Sequence, residues 1–174
     1  MIPIRLPPED IHIHADRRLA FEVITAFGAS SQSSHGSSTV LERQGDQLLV
    51  EFHTLVRGPL GRRKVYRTVE RVALHPPEAV EFEGVEGPLR RLRDRLVFAE
   101  ESGCTRLRYE SEIGLGWGPI GWLLGRLLVQ PIMQRFMREH LVEMKETIEA
   151  RAKRSRVYPE CSSSPVVQEG QRGG

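Results

Sequence analysis

The last third of the chain carries the feature that most limits the fold: one long amphipathic helix with no second helix of similar length to cover it. Met133, Phe136, Met137, His140, Leu141, Met144 and Ile148 recur at i, i+3, i+4, i+7 spacing and share one face of a helix over residues 131–154. Arg135, Arg138, Glu139, Lys145, Glu146 and Glu149 fall on the opposite face. Every methionine except the initiator lies on the apolar stripe. Such a stripe has to be buried, and the rest of the chain offers mainly strands to bury it.

Those strands follow one another from residue 38 to 113. Six runs, at 39–43, 47–56, 63–74, 79–85, 91–100 and 105–113, are separated by turn-forming residues such as Gln44-Gly45-Asp46, His75-Pro76-Pro77-Glu78, Gly87-Pro88 and Glu101-Ser102-Gly103. Leu48, Val50, Phe52, Thr54 and Val56 keep a period of two, as do Leu92, Asp94, Leu96 and Phe98, and Leu107, Tyr109, Ser111 and Ile113. Short turns between strands predict an antiparallel meander with one apolar face. The run 63–74 does not alternate cleanly, which leaves the faces of Arg67 and Glu70 open; a bulge would account for it.

Ahead of the meander, Ile2, Ile4, Leu6, Ile11 and Ile13 read as an opening strand interrupted at Pro7-Pro8. Asp16 is placed to cap a helix over 17–27 with Leu19, Ala20, Val23, Ile24 and Phe27 inward. The segment 28–38 is rich in serine and glycine and reads as a loop or a frayed helix, and His35 within it has no recognisable partner. Pro131 inside the C-terminal helical pattern predicts a kink or break near Gln130, because proline lacks the amide proton and its ring meets the carbonyl of Leu127.

With 174 residues the chain is sized for one domain. Residues 1–156 form the expected domain and 157–174, with Pro159, Cys161 and a glycine-rich end, a disordered tail. The N-terminus lacks a signal-peptide layout, and the apolar patch 119–129 is too short and too interrupted to span a bilayer, so a cytoplasmic protein is expected. Two distant cysteines imply neither a disulfide framework nor a zinc motif. His12 and His14 share a strand face, but with no third ligand nearby in sequence they read as polar strand positions, so no metal and no cofactor are expected.

The order strand, helix, loop, six-stranded meander and long C-terminal helix resembles the START-like helix-grip (SRPBCC) superfamily, including polyketide cyclase/dehydrases and coenzyme Q-binding proteins. The likeness spans roughly residues 11–154. It rests on Ala15-Asp16-Arg17 at the first helix, Glu86-Gly87-Pro88-Leu89, the segment 103–110, Gly118-Pro119-Ile120-Gly121-Trp122 and the segment 141–149. The fold implied is α+β, a curved antiparallel sheet wrapped around the C-terminal helix, with a cavity for an apolar ligand between them. Phe52, Phe82, Leu96, Phe98 and Tyr109 would then face Met133, Phe136, Met137, His140 and Met144. Methionine suits a wall that adapts to its ligand. Simple core packing is the alternative for each of these side chains.

In a meander, alternate turns lie at one end of the sheet. That end gathers Arg62, Arg63, Arg90, Arg91, Trp117 and Trp122 around the implied cavity mouth, a composition suited to an anionic membrane surface or an acidic ligand head. Three functions are thus in view. The first is non-catalytic binding or transport of a lipid, quinone, isoprenoid or polyketide-like molecule, favoured because no nucleophile elbow, phosphate loop or metal triad is present. The second is a polyketide cyclase or dehydratase moving protons with Asp94, Tyr109 and His140. The third is an RNA- or ribosome-interacting protein using the basic end, which lacks the aromatic platforms of RNA modules, so nucleic acid is disfavoured as a partner.

Overall fold

The computed structural model describes residues 2–28, 36–58, 61–158 and 161. Among the described residues, eight strands precede the C-terminal helix: β1 (Ile4–Arg5), β2 (Glu9–Ile13), β3 (Gly36–Gln44), β4 (Gln47–Arg57), β5 (Arg63–His75), β6 (Ala79–Glu86), β7 (Arg91–Glu101) and β8 (Cys104–Gly114). Strands β3 to β8 form the meander that the turn residues predict, each pairing antiparallel with its predecessor. Both β1 and β2 pair with β8, Ile4 opposite Ile113 and Ile13 opposite Thr105, so one opening strand is interrupted at its prolines. Between β2 and β3 lies α1 (Arg17–Ile24), whose first turn is capped by the Asp16 carboxylate accepting from the Arg18 amide at 2.7 Å.

The sheet curves around the C-terminal helix in a helix-grip arrangement of class α+β. That helix is 37 residues long and unbroken. It begins as α2 (Gly118–Leu124), widens into a π turn at Gly125–Val129 and continues as α3 (Gln130–Arg154). The kink or break expected near Gln130 takes the form of a π turn just before it, with the helix continuing through Pro131. The Gln130 amide donates to the Gly125 carbonyl, five residues back, and this wider turn removes the need for an amide at 131 to reach Leu127. Gly125 is buried against Ile4, where a Cβ would collide with the isoleucine side chain.

The apolar stripe of α3 divides into two rows. Met137, Leu141, Ile148 and Ala152 are buried, while Met133, Phe136, His140 and Met144 are only partly covered. The buried row packs on Val50, Val72, Val80, Leu96, Leu107 and α1 to make the main core. A smaller core of Ile4, Leu6 and Ile113 is closed by Leu89, Leu92, Trp122 and Val129.

On the outer face, charged side chains pair across strands, as in Arg93 with Glu83 at 2.8 Å, Arg95 with Glu81 at 3.5 Å and Arg67 with Glu51 at 2.7 Å. Exposed pairs of this kind contribute little each, about 0–1 kcal/mol. They do set the face: Arg67 is outside and Glu70 inside.

Cysteine spacing implied no bridge; the fold corrects this with a Cys104–Cys161 disulfide, Cα–Cα 5.3 Å. The reason is the path of the chain beyond α3. Tyr158 packs against the main core and its hydroxyl donates to Glu22 of α1 at 3.1 Å, which returns the chain toward the start of β8. Ordered packing thus extends past residue 156. The rest of the expected tail, 159–160 and 162–174, and residues 29–35 of the serine-rich segment, including His35, lie outside the described residues.

Candidate functional site

The partly covered row of α3 stands away from the sheet, and the space between is a cavity of two chambers. The first, about 490 Å³, is walled by Phe52, Phe82 and Leu96 of the sheet, Phe27 beyond α1, and Phe136, Met137, His140 and Met144 of α3. Phe27, Phe52 and Phe82 meet edge to face at 5.8–6.3 Å between ring centroids. The second chamber, about 310 Å³, lies toward the β4–β5 and β6–β7 turns between Val56, Tyr66, Leu89, Leu92, Val129, Ile132 and Met133. Thr54, Glu70, Asp94, Phe136 and Met137 line both chambers and form the waist.

Two carboxyl groups at an apolar waist are expensive to ionise. Glu70 is buried, and desolvation, with the Thr68 hydroxyl pulling the other way and the Asp94 charge adding to it, raises its pKa to about 7. The Thr68 hydroxyl donates to Glu70 Oε1 at 2.8 Å. Burial likewise raises Asp94 to about 6, tempered by the nearby hydroxyls of Ser111 and Tyr109. Those hydroxyls lie near the carboxyl without forming a well-shaped hydrogen bond: Asp94 Oδ1, Tyr109 Oη and Ser111 Oγ are buried without a hydrogen-bond partner among the described residues. Burial pushes the Tyr109 phenol well above its ordinary range. The site is therefore a greasy tunnel with one cluster of polar groups able to give or take a proton near neutrality.

The residues named from sequence fall as follows. Phe52, Phe82, Leu96, Phe136, Met137, His140 and Met144 wall the first chamber, and Met133, Phe136 and Met137 the second. Phe98 is buried against Phe21 of α1, 5.3 Å between ring centroids, and lines neither chamber. Tyr109 is core, with its hydroxyl in the polar cluster. His140 stacks on Phe136 at 5.8 Å, and its Nδ1 lies 4.0 Å from Glu143. Asp94 is brought to Glu70, which sequence reasoning had left unassigned, and to Thr68; the signal for both was their even spacing with Val72 and Leu74 along β5.

Of the expected mouth, Arg62, Arg63 and Arg90 are exposed near the second chamber's end of the sheet, and Arg91 is tied to Glu112. Trp122 is partly buried in the smaller core with Arg126 over its ring, whereas Trp117 is 74% exposed. Trp117 holds a left-handed backbone (φ 55°), rare for a bulky residue, and begins a run of exposed apolar side chains: Ile120, Leu123, Leu127 and Leu128. None of the six mouth residues lines either chamber.

A larger concavity, about 660 Å³, lies on the outer face among Arg71, Arg93, Arg95, Glu81 and Glu83. Its arginines and glutamates already pair with one another, and it lacks the methionine and phenylalanine walls of helix α3 that distinguish the inner cavity. Among the described residues no group of three metal-ligating side chains lies in the inner cavity.

Residues 9–149 match the model of the family described as polyketide cyclase / dehydrase and lipid transport. Among solved structures, the chain is similar to TTHA0849 from Thermus thermophilus, with TM-score 0.70 and 20% identity over 86% of this chain and 99% of that one. It is also similar to the Zhui aromatase/cyclase from a Streptomyces species, with TM-score 0.67 and 14% identity over 88% and 95% of the two chains. A START superfamily protein from Mycobacterium smegmatis aligns with TM-score 0.59 and 13% identity over 87% and 99%. No curated protein matches the sequence.

Proposed function

The chain belongs to the polyketide cyclase/dehydrase and lipid transport family, and from that premise we propose that it binds and carries one apolar small molecule in the two-chambered cavity. A lipid, quinone, isoprenoid or polyketide-like compound fits the chemistry. The observation that carries this reading is the continuity of the chambers through the waist at Thr54, Glu70, Asp94, Phe136 and Met137. Each chamber is within the size of ligand pockets, roughly 300–1,000 Å³, and methionine and phenylalanine side chains supply much of the apolar wall. The ligand's apolar body occupies the chambers, and a hydroxyl or carbonyl near its middle meets Glu70 and Asp94, each a hydrogen-bond donor when protonated and an acceptor when ionised.

Loading takes place at an anionic membrane surface. The exposed Trp117, Ile120, Leu123, Leu127 and Leu128 form an apolar patch at the second chamber's end, with Arg62, Arg63, Arg90 and Arg126 nearby. Apolar residues at the centre of that end favour lipid over nucleic acid.

A second reading, a cyclase or dehydratase, is favoured by one observation: two buried carboxyls with pKa values raised to about 7 and about 6. One protonated and one ionised acid at the same waist can donate and accept protons on a bound substrate.

Native mass spectrometry of freshly purified protein, followed by solvent extraction, tests both. A carrier yields one apolar molecule per chain and returns it unchanged after incubation; an enzyme of the second kind returns it lighter by one water or ring-closed. Protein that holds no extractable molecule and no apolar dye displaceable by fatty acid or quinone would end both readings.

A further inference from the structure

The pairing of β2 with β8, and the return of the chain beyond α3 to the start of β8, bring together side chains from three distant parts of the sequence. His12 lies in β2 and His14 just beyond its end, and Cys104 opens β8 across from them. One donor atom from each of His12, His14 and Cys104 lies within 4.8 Å of the others, and Cys161 is bonded to Cys104. Two imidazoles and two sulfurs at one point are the donor set of a tetrahedral zinc site. The disulfide is the oxidised form of that same set.

We propose that the reduced protein binds one zinc ion through His12, His14, Cys104 and Cys161, and that forming the disulfide ejects it. A dithiol reductant breaks the S–S bond. Its two electrons and two protons pass to the two sulfurs, and the reductant becomes its own disulfide. Zinc then displaces both thiol protons to solvent and takes two thiolates and two neutral imidazoles. Tetrahedral zinc asks for donor atoms roughly 3.3–3.8 Å apart, given zinc–sulfur and zinc–nitrogen bonds of about 2.3 and 2.0 Å. The separations present are within small side-chain rotations of that.

The surroundings are those of a supported site. Glu101 lies 3.2 Å from His12 Nδ1, which leaves Nε2 for the metal and fixes the ring, the usual arrangement of a carboxylate behind a metal-bound histidine. Helix α3 holds the strand in place: Lys145 Nζ donates to the His12 carbonyl at 2.6 Å, and the His14 amide donates to Glu149 at 2.9 Å. Cys104 is 1% exposed, so the metal would sit against a dry wall with His12 toward solvent. This site is on the opposite side of the sheet from the ligand cavity and does not depend on what the cavity binds.

The test uses the full chain without a histidine tag and cobalt(II) as the probe. The reduced protein is expected to bind one cobalt per chain with thiolate-to-metal charge transfer and the visible bands of a tetrahedral site, and zinc is expected to bleach both. The oxidised protein is expected to bind none. In His12→Ala/His14→Ala, affinity falls at least tenfold while circular dichroism and disulfide formation stay as in the parent; Glu101→Gln weakens binding about tenfold through His12. Reduced protein without the charge-transfer band, cobalt binding unchanged in the double histidine variant, or equal binding by the oxidised form would each overturn the proposal.

Discussion

Glu70 on β5 and Asp94 on β7 meet at the waist from either side of β6, Glu70 opposite Gly84 and Asp94 opposite Phe82, and the charge of Asp94 raises the pKa of Glu70. The two acids act as one titrating unit, so their protons leave in steps that belong to the pair. Everything else at the waist is apolar or a hydroxyl, which makes this pair the electrostatic centre of the cavity.

Stability should therefore fall as pH rises across the pair. A carboxyl whose folded pKa is raised holds its proton longer in the native state, so the native state binds more protons between the unfolded and folded values. For Glu70 and Asp94 the loss begins near the ordinary carboxylate range and is complete just above about pH 7. Urea denaturation at about pH 5 and about pH 8 measures it, with a difference on the order of 3 kcal/mol expected for the pair. Glu70→Gln should flatten the profile and be the more stable protein at the higher pH. An unaltered profile in that variant would mean Glu70 is not buried as an acid.

Closing the waist should separate binding from stability. Thr54→Trp fills the junction of the two chambers, and displacement of an apolar dye should weaken at least tenfold. Leu141→Ala, in the buried row of the same helix, should instead cost about 2–5 kcal/mol of stability. Fluorescence titration and thermal denaturation of the two variants distinguish a lining residue from a core residue.

The disulfide ties the chain beyond α3 to the start of β8 across a sequence separation of 57. Cys161→Ser should lower the unfolding free energy measured without reductant by about 2–4 kcal/mol. Adding a reductant to the parent should approach the same value in metal-free buffer. Equal stability of parent and variant under oxidising conditions would show that the bridge does not constrain the unfolded chain.

Membrane docking predicts an apolar as well as an electrostatic dependence. Trp117→Ala with Leu127→Ser should reduce sedimentation with anionic vesicles several-fold, even at high salt. Charge reversal of Arg62, Arg63, Arg90 and Arg91 should matter chiefly at low salt. Arg91 is bonded to Glu112, so its reversal also breaks a packed ion pair and is best made last. Vesicle binding untouched by either set would remove the membrane from the loading step.

The strands were legible because their turns are written in glycine and proline: the run read as 47–56 is β4 (Gln47–Arg57), and that read as 105–113 is β8 (Cys104–Gly114). Capping by Asp16 and the proline-split first strand were legible for the same local reasons. Glu70 was not. Along β5 the usual polarity inverts, since Val65 and Val69 lie outside while Thr68 and Glu70 point into the cavity. Val69 stays covered on the outside because its two cross-strand partners, Glu51 and Glu86, are bridged by Arg67. The register also slips between Val69 and Glu70, with Val85 as the extra residue on β6. A pattern rule that equates inside with apolar fails where the inside must be polar. The cluster of His12, His14 and Cys104 was hidden for another reason: no local spacing encodes a contact made by folding strand upon strand.

The π turn has a rotational consequence. Adding one residue to a helix turns everything beyond it by about 100°. Upstream of Gly125–Val129, Ile120 and Leu123 look outward; downstream, Met137, Leu141 and Ile148 look into the sheet. One helix thus presents two apolar faces that its phase shift keeps apart, the later one facing the sheet and the earlier one left uncovered. Winding the same residues 125–129 as α-helix, with none removed, would remove that shift and bring the two toward one line, and with it would go the outward patch.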